Sequence, residues 1–178
     1  MVTPTWRRLN TITKGMTWRE DLKSLKDELM AKGLLGDIPA ARAFLDEADA
    51  LRREHRRCGT PDESPACQVE TRYIYQVFRN TPKESVLAQT LFGFELASVD
   101  PRVAGINLVG SEDNYAAMAD YADHMRIFQL HAGFIPRFIS ACTLASWRLG
   151  SFHRKASVAM CARRWMSRAP TASATGWT

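Results

Sequence analysis

Apolar side chains recur at helical spacing early in the chain. Leu22, Leu25, Leu29 and Met30 share one face of TWREDLKSLKDELMAKGLL, residues 17–35. That spacing predicts an amphipathic helix. Thr17 is its expected N-cap, Glu20 three residues on completes a capping box, and Gly36 ends it. A second helix opens at Asp37 or Ile38, carries Pro39 in its first turn and runs to about Arg56. Residues 58–68 read as a loop. The stretch VETRYIYQVF, residues 69–78, is rich in β-branched and aromatic side chains and predicts a strand. TPKESVLAQTLFGFELAS, residues 81–98, predicts a helix with Thr81 as cap and Glu84 as its partner. PRVAGINLVG, residues 101–110, is a short apolar run ending in glycine, as in a buried parallel strand. Residues 111–134 return to a helical pattern, capped by Ser111 or Asp113.

Residues 69–134 thus alternate β-α-β-α, the order of an α/β protein with a parallel sheet, in a barrel or a doubly wound form. After Arg137 the pattern stops. Residues 138–178 hold no lasting period. They carry Arg148, Arg154, Lys155, Arg163, Arg164 and Arg168 and no acid, and three of the five tryptophans. The formal net charge of +5 therefore resides in this tail. Three regions are expected: an irregular leader (1–16), a folded part (17–137) and an irregular, disordered basic tail (138–178).

An apolar share of 46% and a charged share of 24% suit a soluble globular chain. No apolar run reaches the roughly 18 residues of a membrane span, so no membrane partner is expected. The N-terminus lacks the apolar stretch of a secretory signal, so the chain as written is expected in the cytoplasm. Cys58 and Cys67 flank the turn-rich GTPDESPA. They are a disulfide if the parent protein is exported, or two free thiols. Their spacing does not suggest zinc.

VETRYIYQVFRNTPKES, DPRVAGINLVGSEDN and YADHMRI together resemble the middle of an adenosine deaminase, in the bacterial branch similar to secreted adenosine deaminases. The resemblance spans Met16 to Arg137. It implies part of a zinc-dependent (β/α)8 TIM-type barrel that hydrolyses adenosine to inosine and ammonia, with a secreted or periplasmic parent. The fold expectation is therefore α/β, a partial barrel fragment with an irregular tail. In such barrels functional groups sit at the C-terminal ends of strands. Gly110 falls at such an end, and the resemblance implies that it lies against the bound purine nucleoside. A plain turn glycine is an equally weighted reading.

The family's zinc ligands include a His-x-His pair on its first strand, and its proton chemistry uses the glutamate of a Ser-Leu-His-Ala-Gly-Glu strand. Zinc there lowers the pKa of the attacking water. The histidines here are His55, His124, His131 and His153, and none forms His-x-His. His-Ala-Gly does occur at residues 131–133, but Phe134 stands where the glutamate belongs. His131 is expected at a surface helix end, and His55 and His124 on solvated helix faces. No residue of this chain is expected to be catalytic or to bind metal, and zinc belongs to the parent family only.

The tail changes when its codons are read one step out of register. Taking the last base of each codon with the first two of the next, Phe138 to Gly150 permits His-Ile-Ser-Leu-His-Ala-Gly-Glu-Leu-Ala-Pro-Gly. Cys142 followed by Thr143 leaves only His or Tyr at the ligand position. Thr171 to Thr178 permits Arg-Ile-Gly-His-Gly-Val-Asp, and Trp177 before Thr178 forces the aspartate. Residues 138–178 are therefore read as a frameshifted translation of the deaminase's catalytic region, from a sequencing error or a genuine pseudogene. The expected product is poorly soluble, weakly cooperative, inactive and metal-free, with bare strand edges.

Two rival functions remain. In one, a small α/β module carries a basic nucleic-acid-binding tail, with Arg163, Arg164, Trp165 and Arg168 giving phosphate contacts and stacking. It carries less weight, because the shifted frame explains the same residues. In the other, a pseudoenzyme pairs with an intact deaminase through its exposed edges.

Overall fold

Six helices and three strands follow one another in the residues that this computed structural model describes, 4–131 and 139–141. The first helix, α1 (Pro4–Thr13), falls where an irregular leader was expected. Among its side chains that are described, Leu9 and Ile12 mark its inner face, too short a period to stand out in the sequence. Leu9 is nonetheless buried, and Ile12 packs against the core.

The second helix, α2 (Leu22–Ala31), is shorter than its predicted span. Its cap is Asp21, not Thr17 with Glu20. The Asp21 carboxylate accepts from the amides of Lys23 (3.1 Å) and Ser24 (3.2 Å), which have no helical partner of their own. Leu22, Leu25 and Leu29 are buried as the spacing predicts, whereas Met30 is 37% exposed. Burial of each leucine contributes about 1.5–3 kcal/mol. The third helix, α3 (Ile38–His55), starts with Pro39 in its first turn as expected.

Strand β1 (Tyr73–Phe78) leads to α4 (Lys83–Val99), and strand β2 (Val103–Val109) follows. Thr81 does not cap α4. Its hydroxyl donates to the Phe78 carbonyl (2.8 Å) and closes off β1 instead. The helix expected over 111–134 is two pieces. Helix α5 (Tyr115–Ala119) is capped by Asn114, whose side chain accepts from the Ala116 amide (2.9 Å), and α6 (Tyr121–His131) restarts after Asp120. Strand β3 (Ile139–Ala141) lies inside the stretch expected to be irregular.

The strands form a parallel sheet in the order β1-β2-β3. Tyr75 stands opposite Ile106, and Val77 opposite Leu108. Helix α4 covers this face. Every residue from Ser85 to Phe94 is buried, because α4 lies between the sheet and α1, α2, α3 and α6. Gly93 permits the close approach. A Cβ there would lie 2.6 Å from Tyr75 Cδ1 and 3.1 Å from Ile106 Cδ1. The Tyr75 phenol sits well above its ordinary pKa because burial disfavours the phenolate. On the other face Ile74 is 57% exposed.

This architecture corrects the expectation of a (β/α)8 barrel fragment. The described residues form a small α/β protein with an open three-stranded sheet. A barrel builds its wall by following each strand with a helix, but here three helices precede the first strand and gather on α4. The alternation over 69–134 identified the parallel sheet and could not specify closure.

Cys58 and Cys67 are joined by a disulfide, with Cα atoms 5.6 Å apart. Among the described residues, no helix is long and apolar enough to cross a membrane.

Candidate functional site at the C-terminal strand ends

Parallel α/β sheets present ligands at the C-terminal ends of their strands. Here β1 delivers Arg79 and Asn80 to that edge, and β2 delivers Gly110, Ser111 and Glu112. The Arg79 amide extends the ladder by donating to the Val109 carbonyl (2.9 Å). Its side chain is 12% exposed and donates through Nη2 to the Leu108 carbonyl (3.1 Å). Arg79 Nη1 lies 3.7 Å from Glu112 Oε1. One arginine thus binds both the end of β2 and the turn after it.

Gly110 has φ +118°, a conformation that favours glycine. A Cβ on it would lie 2.8 Å from the Asn80 amide. With that amide oriented to suit both neighbours, Asn80 donates to the Ser111 carbonyl (3.2 Å) and accepts from the Ser111 amide (3.0 Å). The turn after β2 is therefore fastened to the turn after β1.

Two further side chains organise this edge. Gln89, 1% exposed on α4, accepts from the Phe78 amide (2.9 Å) and donates towards Thr81 Oγ1 (3.3 Å) and the Ser85 carbonyl (3.2 Å). Lys83 donates to Asp123 (3.0 Å), lies 3.5 Å from Asp120, and sits 5.0 Å from the centre of the Trp18 ring. The Asp123 bond holds the lysine's pKa above its ordinary value.

His124 overturns its expected place on a solvated helix face, for it is 1% exposed. Its Nε2 has no hydrogen-bond partner, and neither does the buried Nε of Arg79. Burial depresses the His124 pKa; Asp120 opposes this, and Arg79 adds to it. The imidazole is thus held neutral between carboxylates and cations. A polar sequence neighbourhood concealed it, although His124, Ile127 and Phe128 share one helical face, with Ile127 buried and Phe128 packed on the core.

His55 lies exposed in the last turn of α3. His131 is the last residue of α6, at the helix end where it was expected. His153, Phe134, Cys142, Cys161 and the tail's Arg163, Arg164, Trp165 and Arg168 lie outside the described residues. The described residues do not fit zinc. No three histidine, cysteine or acidic side chains among them gather as ligands, and the one buried histidine stands near the cationic Arg79 and Lys83.

The edge therefore holds a constrained glycine, a fixed amide, a half-satisfied arginine and a neutral histidine. No family model, curated protein or solved structure matches this chain.

Proposed function

We propose that this chain derives from a gene for an adenosine-deaminase-type hydrolase and does not itself deaminate. The observation that carries the reading is the shifted frame. It permits His-Ile-Ser-Leu-His-Ala-Gly-Glu and Arg-Ile-Gly-His-Gly-Val-Asp behind the segment that resembles the family. In this reading Gly110 is the part of a purine nucleoside site that the chain retains. Its place at the C-terminal end of β2 supports that role. The chemistry belongs to residues that the frame replaces, and no catalytic step is assigned to this polypeptide.

The test begins with the DNA. Codons 134–140 are resequenced, and the locus is translated in all frames on both sides of the 178 codons. The reading expects an open hidden frame through codons 138–178. Expression of a repaired reading that also includes the family's His-x-His strand should then yield inosine from adenosine in a chelator-sensitive manner, while the chain as written yields none. A stop codon in the hidden frame within this stretch, or inosine from the purified chain as written, would overturn the proposal.

A further inference from the structure

We propose that Cys58 and Cys67 form a structural clasp installed by oxidation, and that this chain folds where a thiol–disulfide oxidoreductase or oxidised glutathione supplies the oxidant. The S–S bond forms as the two thiols give up two protons and two electrons. The oxidant's own disulfide takes these up and becomes two thiols.

The loop holds both cysteines in place with hydrogen bonds that involve no sulfur. On one side, the Cys58 amide donates to the Arg53 carbonyl (3.0 Å) and closes the end of α3. On the other, the Cys67 amide donates to the Ser64 carbonyl (2.9 Å), and Ser64 Oγ accepts from the Ala66 amide (3.2 Å). The two sides are tied together. The Ser64 amide donates to the Arg56 carbonyl (3.0 Å), and Arg56 Nη1 donates to the Ala66 carbonyl (3.0 Å). Between them, the Gly59 amide donates to Glu63 Oε2 (2.9 Å). The resulting Cα separation of 5.6 Å is one that a disulfide spans without moving the backbone.

Such a frame raises the effective concentration of one thiol at the other and so favours the oxidised pair. Both cysteines are half-buried, so an oxidant reaches them. The clasp joins the end of α3 to the segment that enters β1. The Tyr73 hydroxyl of β1 in turn donates to Asp49 of α3 (2.7 Å). Helix α3 is thereby fixed to the sheet at two points. This inference stands apart from the deaminase reading.

The test uses the full chain, purified without reductant, alkylated and cut with trypsin. Residues 58–72 form one tryptic peptide that contains both cysteines. The proposal expects this peptide unalkylated and lighter than the dithiol by two hydrogens. It should stay so in a glutathione mixture at the ratio of a secretory compartment. Reduction should lower the melting midpoint by roughly 5 °C or more. Alkylation at both cysteines, cross-linking of either to Cys142 or Cys161, or a midpoint unmoved by reduction would each overturn it. The wild-type chain carries every arm, so no variant needs to fold.

Discussion

The two ends of the sheet differ in how densely their polar groups are paired. At the N-terminal end, Arg102 donates to Asp100 through Nε (2.9 Å) and Nη2 (2.6 Å) and to Asp49 through Nη1 (3.0 Å), and lies 2.8 Å from Asp46. Tyr73 shares Asp49 (2.7 Å), and Arg42 approaches Asp100 (3.6 Å). Each charge there has a partner. At the C-terminal end, Arg79 Nε and His124 Nε2 are buried without one. A densely paired network fixes α3 and the strand starts, although Arg52 Nε beside Asp49 is also buried without a hydrogen-bond partner. The unpaired groups at the other end cost stability.

The largest effect should come from the densely paired end. Asp100 is 2% exposed and faces two arginines. Asp100→Ala leaves their charge without its main partner and should cost about 3 kcal/mol in urea unfolding. A loss below about 1 kcal/mol would mean that solvent already screens the network.

The edge that carries Gly110 offers a smaller, two-part effect. Gly110→Ala adds backbone strain at φ +118° and a clash with Asn80, together about 2 kcal/mol. Adding Asn80→Ala removes the clash but not the strain, so the double variant should recover about half of that loss relative to the sum of the singles. Strict additivity would show that Asn80 does not enforce the glycine.

The legible and illegible parts of the chain divide on a physical ground. Helix α3 was readable because Pro39 and a long pattern mark it locally. Strands β1 and β2 were readable because β-branched residues cluster there. The breadth of the sheet was not, since closure depends on strands that residues 69–134 do not contain. The caps at Asp21 and Asn114 were missed because several polar residues competed within a few positions, and local backbone geometry chose among them. Gly110 was legible as the end of a strand. Its neighbour Asn80 was not, because their contact spans two turns far apart in sequence. Gln89 and His124 were hidden for a related reason. Polar residues on helices read as exposed until a partner surface, here the end of β1 and α4, encloses them.

The smallest effect separates the two ends by pH. The His124 pKa is depressed from 6.5 in the folded chain, chiefly by burial. The unfolded chain therefore takes up this proton first as pH falls. The stability that a neutral His124 contributes is complete above pH 6.5 and declines below it, at no more than roughly 1.4 kcal/mol per pH unit for one proton. Asp100 is depressed from 3.8 by its bonds to Arg102, and Asp49 from 3.8 first by Tyr73 and then by Arg102. Their stabilisation is complete above pH 3.8 and is lost only as pH falls through their lower folded values. Urea unfolding from pH 7.5 to 3 should therefore show two separate declines. His124→Gln should flatten the upper one, whatever it does to absolute stability, and leave the lower one in place. If the upper decline persists in His124→Gln, the C-terminal end is not the acid-sensitive end, and the contrast between the two ends rests on geometry alone.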